Sequence, residues 1–261
     1  MSDRSPQDRS PQIAAQILPP ITDPSIHAQI ARLAQSRRQA GGPLIRLIAR
    51  IGQGGETAAT HLPPRLALRL EKATEQALIR AFRVARASRT TLRPRSDRFN
   101  RIGATLIGGA AGAAGITGAL LELPVTVTLL MRSILDIADE HGLDPEDGDL
   151  RREALLILAA RPPSRDLAHS PLSGLAIPLA GQSSQALIAA AAPRLAAMLG
   201  QKLALQSAPV IGAVAGASIN HAFLGYYQSL ARVHFGLLRL SRETGLPPEA
   251  LEDAFIAAYC P

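Results

Sequence analysis

Three charged side chains, Glu122, Arg132 and Asp136, fall in one short and largely apolar stretch. Arg132 and Asp136 are spaced i, i+4, which on a helix puts them on one face within ion-pairing reach. Glu122 precedes them at a place where a helix would begin, and a carboxylate there meets the positive end of the helix dipole. Far along the chain Asn220, Tyr227 and His234 recur every seven residues, so on a helix they share one stripe. If the two stretches pack together, Glu122, Arg132, Asp136, Asn220 and His234 form one polar centre. Such a centre can hold a small ligand, handle a proton or support hydrolysis. The plainer alternative is a structural ion pair, a helix cap and a satisfied polar core. The residues alone leave both open.

Other chemistries find little support. The histidines, His27, His61, His141, His169, His221 and His234, form no H-E-x-x-H pair, and Cys260 is the sole cysteine. No G-x-S-x-G elbow occurs. No G-x-x-x-x-G-K-S/T loop occurs either, and the run Gly108–Gly118 has no lysine to reach a phosphate. No cofactor and no metal are expected. A lone cysteine forms no intrachain disulfide, which suits a reducing compartment. The polar start, Met1 to Gln12, has neither the basic opening nor the apolar run of a secretory signal, so export by that route is not expected.

The charge is unevenly placed. The chain has 28 basic and 21 acidic residues, a net charge of +7, and only Lys72 and Lys202 are lysines. Eleven basic residues lie between Arg65 and Arg101 against Glu71, Glu75 and Asp97, so this segment alone carries +8. Charge so concentrated points to a phosphate-bearing partner, either anionic lipid or nucleic acid. Across Arg65–Leu92, Leu66, Leu70, Ala77, Ala81 and Val84 share one side at 3.6 residues per turn. Arg65, Arg69, Lys72, Arg83 and Arg86 share the other. Only Phe82 and Phe99 interleave the arginines, too few platforms for base stacking, which disfavours nucleic acid. A solvated basic face with no partner is the plainer alternative.

The elements that must position these residues are helices. Ala and Leu abound, Trp is absent and aromatics make up 3%, so strand formers are scarce and an all-α class is expected. Proline and polar residues mark Met1 to Pro24 as a disordered tail. Residues 25–261 are expected to form a single domain, a compact set of helices around Gly- and Ala-rich central ones. The pattern predicts helices over Ser25–Gln39, Arg65–Leu92, Arg151–Ala160, Arg194–Leu205, Pro209–Leu240 and Glu249–Ala258, with a brief amphipathic piece at Leu44–Ile51. Ile102–Leu121 is uncharged, with six Gly and six Ala. Pro124 is expected to interrupt there, because it has no N–H to donate, and to start a further helix ending at His141 before Gly142. Asp144–Asp149 reads as a solvent-facing acidic loop with capping residues, without the spacing of a calcium loop. Leu172–Ala192 is left unassigned. The i, i+4 pairs Gly108/Gly112 and Gly212/Gly216 would let two helix backbones approach closely, in a membrane pair or in a soluble hairpin.

Two longer blocks add a resemblance. ATLIGGAAGAAGITGALLELPVTVTLLMRSILDIA, Ala104 to Ala138, resembles the signature of the EcsC family: a Gly-rich run, then Glu122-Leu123-Pro124-Val125-Thr126, and then Arg132-Ser133-Ile134 with Asp136-Ile137-Ala138. Met131 stands where the family usually has Leu. APVIGAVAGASINHAFLGYYQSLARVHFGLLRL, Ala208 to Leu240, resembles the family's C-terminal half through Pro209, Gly212, Gly216, Asn220, Phe223, Gln228, His234, Phe235 and Arg239. The founding member of that family accompanies an ABC-type transporter. The resemblance implies a helical, membrane-linked or transport-linked bacterial protein and no settled activity.

The resulting expectation is a non-enzymatic accessory or regulatory factor at the cytoplasmic face of the inner membrane, peripheral or partly inserted. Its partner would be an anionic membrane surface or a membrane protein complex such as a transporter. The rival expectation is a hydrolase built on the polar centre.

Overall fold

The computed structural model of the protein describes residues 20–40, 64–87, 115–160, 183–206 and 213–259. Among these residues there are seven helices and no strand, so the all-α expectation holds. They are α1 (Pro24–Ala40), α2 (Pro64–Ala87), α3 (Gly115–Glu140), α4 (Gly148–Ala159), α5 (Ser184–Gln206), α6 (Ala213–Thr244) and α7 (Pro248–Tyr259). The tail up to residue 19, the piece at Leu44–Ile51 and the glycines Gly108, Gly112 and Gly212 lie outside the described residues.

Helix periodicity decides which faces meet. α2 buries Leu70, Thr74, Ala77, Leu78 and Ala81 and lays that stripe chiefly on α3 and α5. Val84, expected on the same stripe, is instead 47% exposed, beyond the last buried turn. α3 answers with Leu123, Val127, Leu130, Met131, Ile134 and Ala138. α4 is apolar on every side from Ala154 to Ala159 and is correspondingly buried, in contact with α3, α5 and α6. α6 packs on α3 and carries the fully buried rings of Tyr227 and Phe235. α1 and α7 pack on each other and on α6.

Two expectations about where helices begin are corrected. Pro124 does not separate two helices; it lies inside α3, which runs on from Gly115. Pro193 lies inside α5, which begins at Ser184 and not at Arg194. An interior proline costs about 3 kcal/mol through its missing N–H and its clash one turn back. Each fully buried Leu, Ile or Val returns about 1.5–3 kcal/mol. Leu123, Val127, Leu130 and Ile134 flank Pro124 on one buried stripe, and Leu187, Ile188, Leu195 and Leu199 do the same around the exposed Pro193. Packing outweighs local propensity in both helices. Thr128 also returns a hydrogen bond to the Pro124 carbonyl at 2.7 Å.

Helix ends follow local chemistry. After Glu140 the chain turns through Gly142 at φ 72°, and the Leu143 N–H reaches the Ala138 carbonyl at 3.0 Å. This closes the last turn in a left-handed cap that a side chain would resist. Asp147 caps α4 by accepting the Asp149 N–H. Gly245, again at φ 72°, ends α6, and Pro248 opens α7.

Candidate functional site

The outer face of α2 carries an ordered array of like charge. Arg65, Arg69, Lys72 and Arg83 are all exposed. Arg80, absent from the sequence-based set, is exposed beside them. At 100° per residue these five fall within about 80° of arc, and Arg65 to Arg83 spans roughly 27 Å along the axis. The arc lies opposite the buried stripe centred on Thr74 and Ala81. Arg80 could have been found by the same phase count, since it lies fifteen residues after Arg65 and close to it in angle. Glu71 and Glu75 are exposed on one flank. Leu68, 53% exposed, lies at the edge of the basic arc, between Lys72 and Glu75 in angle. Arg86 belongs to α2, but its side chain lies outside the description.

The polar residues of α3 and α6 are distributed among several contacts. Arg132 Nε lies 3.8 Å from Asp136 Oδ2, at ion-pair distance across one turn. The bridge between α3 and α6 is made by Ser133 and Gln228, both fully buried, with the amide donating to the hydroxyl at 2.7 Å. Neither was singled out as a site residue, although Ser133 adjoins Arg132 in the motif. Tyr227 turns its hydroxyl to the Leu158 carbonyl of α4 at 3.4 Å. Burial pushes this phenol well above its ordinary value, and the neighbouring Tyr226 adds to the shift.

His234 has a partner on α4: its Nε2 donates to Glu153 Oε2 at 2.8 Å. Burial raises the Glu252 carboxyl of α7, with His234 opposing and Glu249, Asp253 and Glu153 adding to the rise. His234 of α6 is thus paired with Glu153 of α4 and also acts electrostatically on Glu252 of α7. No group of three or more potential metal ligands occurs among the described residues. Glu122 and Asn220 are helical residues of α3 and α6, but their side chains lie outside the description, as does the packing of Gly216. No described helix is long and apolar enough to cross a membrane.

These features define a helical protein with a polar seam in its core and a basic outer face. Its family follows from comparison. The model of the EcsC protein family matches residues 55–240, well over half of the chain, and the protein belongs to that family. Neither the curated proteins nor the solved structures yield a match.

Proposed function

We propose that the protein is a peripheral accessory or regulatory factor that binds the anionic cytoplasmic face of a membrane through α2. One observation carries this reading. The apolar stripe of α2 is used up in the core, while Arg65, Arg69, Lys72, Arg80 and Arg83 stand exposed in a line. A straight row of cations on a helix backed by α3 and α5 matches a planar sheet of phosphates. Each basic residue at such a surface contributes about 1 kcal/mol, screened within a Debye length. Five suffice for reversible, salt-sensitive binding, and the exposed Leu68 at the edge of the row can enter the headgroup layer. A membrane complex presenting acidic groups in the same plane, such as a transporter, is the protein partner of the same chemistry.

Cell fractionation tests the reading. The protein should sediment with membranes at low salt and be released by high salt or an alkaline wash. Full recovery in the soluble fraction at low salt would overturn it, and resistance to both washes would require an integral mode.

A second reading, hydrolysis, has one observation in its favour. A carboxylate that orients an imidazole, as Glu153 does His234, is the arrangement of a general base. Hydrolysis of model esters or phosphoesters by the purified protein, lost in both His234→Ala and Glu153→Gln, would establish it.

A further inference from the structure

The two helices outside the family match, α1 and α7, are also the two that pack chiefly on each other and on α6. α1 meets its seat through Ile26, Ile30, Ala34 and Arg37, a stripe spaced 4, 4 and 3 residues. Its last member is a cation. Arg37 is only 5% exposed. It donates to the Tyr226 carbonyl at 3.4 Å and to the Ser229 hydroxyl, and its guanidinium carbon lies 4.6 Å from the centre of the Tyr226 ring.

None of these partners is an anion. Burial raises the Tyr226 phenol, and Arg37 only partly opposes that rise, so the phenol stays neutral. Among the described residues Arg37 forms no ion pair. A guanidinium desolvated against neutral groups recovers only part of its hydration through hydrogen bonds and the aromatic face. Leaving the seat restores that hydration in full. The other polar links of α1 are peripheral. Gln29 accepts from Arg239 at 3.4 Å, and Arg38 donates to the Ala258 and Tyr259 carbonyls at 2.8 and 3.2 Å. The last of these ties α1 to α7, because Arg38 satisfies the final carbonyls of α7. Loss of α1 therefore uncaps α7 and strips its main neighbour.

We propose that α1, together with α7, is a releasable clasp that opens while the rest of the fold stays intact and bares the face of α6 carrying Tyr226, Ser229 and Gly236. The closed state is well fitted: a Cβ at Gly236 would lie 2.9 Å from Leu33 Cδ2. Release is therefore a transition of a whole unit and not a gradual loosening.

Hydrogen–deuterium exchange on the full chain tests the clasp. Amides of 24–40 and 248–259 should exchange together, on the order of 100-fold faster than the buried amides of α3, as expected for a sub-global opening. Arg37→Met replaces the desolvated cation with an apolar side chain of similar length and should slow exchange of α1 by at least about threefold. Exchange of α1 as slow as that of α3, or at a rate unrelated to α7, would overturn the proposal even if the variant failed to fold. Faster exchange of α1 in Arg37→Met would overturn it as well, because Arg37 would then be a net anchor.

Discussion

α1 and α2 are both arginine-bearing amphipathic helices, yet they treat their cations in opposite ways. In α2, Arg65, Arg69, Lys72, Arg80 and Arg83 lie half a turn away from the buried stripe and reach water. In α1, Arg37 falls in phase with Ile26, Ile30 and Ala34 and is carried into the interface with α6. Residue type is the same; angular phase decides whether a guanidinium serves as a surface charge or as a buried joint. The first kind is free to meet an external anion, and the second governs how firmly a helix stays docked.

The comparison can be broken most forcefully at the inner face of α2. Leu78→Ala should cost about 2–5 kcal/mol in urea unfolding, since Leu78 is fully buried. A near-neutral result would mean that the stripe is not packed in the core and is itself available to lipid. The next test applies one substitution to both kinds of arginine. Arg37→Glu should strip exchange protection from α1, because it buries a carboxylate against carbonyl and hydroxyl oxygens, whereas Arg83→Glu should alter stability by no more than about 0.5 kcal/mol. Equal effects would erase the distinction between the helices.

The core seam allows a finer test. A double-mutant cycle of Ser133→Ala and Gln228→Leu should show coupling of about 0.5–3 kcal/mol, because the two side chains are buried and hydrogen-bonded. Additivity would remove the bridge between α3 and α6. The smallest effect concerns pH. Glu252 holds its proton more tightly in the folded state, chiefly through burial. The stability tied to neutral Glu252 is therefore present at acid pH and lost as pH rises through its raised pKa. Protection of α7 should fall as pH rises from the ordinary carboxylate range through the raised pKa of Glu252, and Glu252→Gln should flatten that part of the profile. An unchanged profile would place the titration elsewhere.

Much of this was legible from periodicity and composition. The Arg65–Leu92 pattern separated the buried Leu70, Ala77 and Ala81 from the exposed Arg65, Arg69, Lys72 and Arg83 because a two-sided helix writes its phase into the chain. Pro124 misled because local propensity is visible in a sequence, while the packing that overrides it comes from distant residues. His234 and Glu153 are 81 residues apart on different helices, and no spacing rule joins them. Arg37 was legible in principle: its interval from Ile26, Ile30 and Ala34 is helical, but its charge argued for solvent. The family signature around Arg132 and Asp136 directed attention to that ion pair, while the buried bridge between the helices was the adjacent Ser133 with Gln228.

The central claim, that the outward row of α2 meets an anionic membrane, is tested most directly by vesicle co-sedimentation. The protein should bind vesicles containing acidic phospholipid, bind neutral ones much less, and lose binding as salt rises. Charge reversal at Arg65, Arg69, Lys72, Arg80 and Arg83 should abolish binding with helical content unchanged by circular dichroism. If that variant binds acidic vesicles as well as the parent, or if the parent does not distinguish acidic from neutral vesicles, α2 is not the membrane contact. Equal binding to duplex DNA and to vesicles would contradict the claim too, reducing the row to a non-specific polyanion surface.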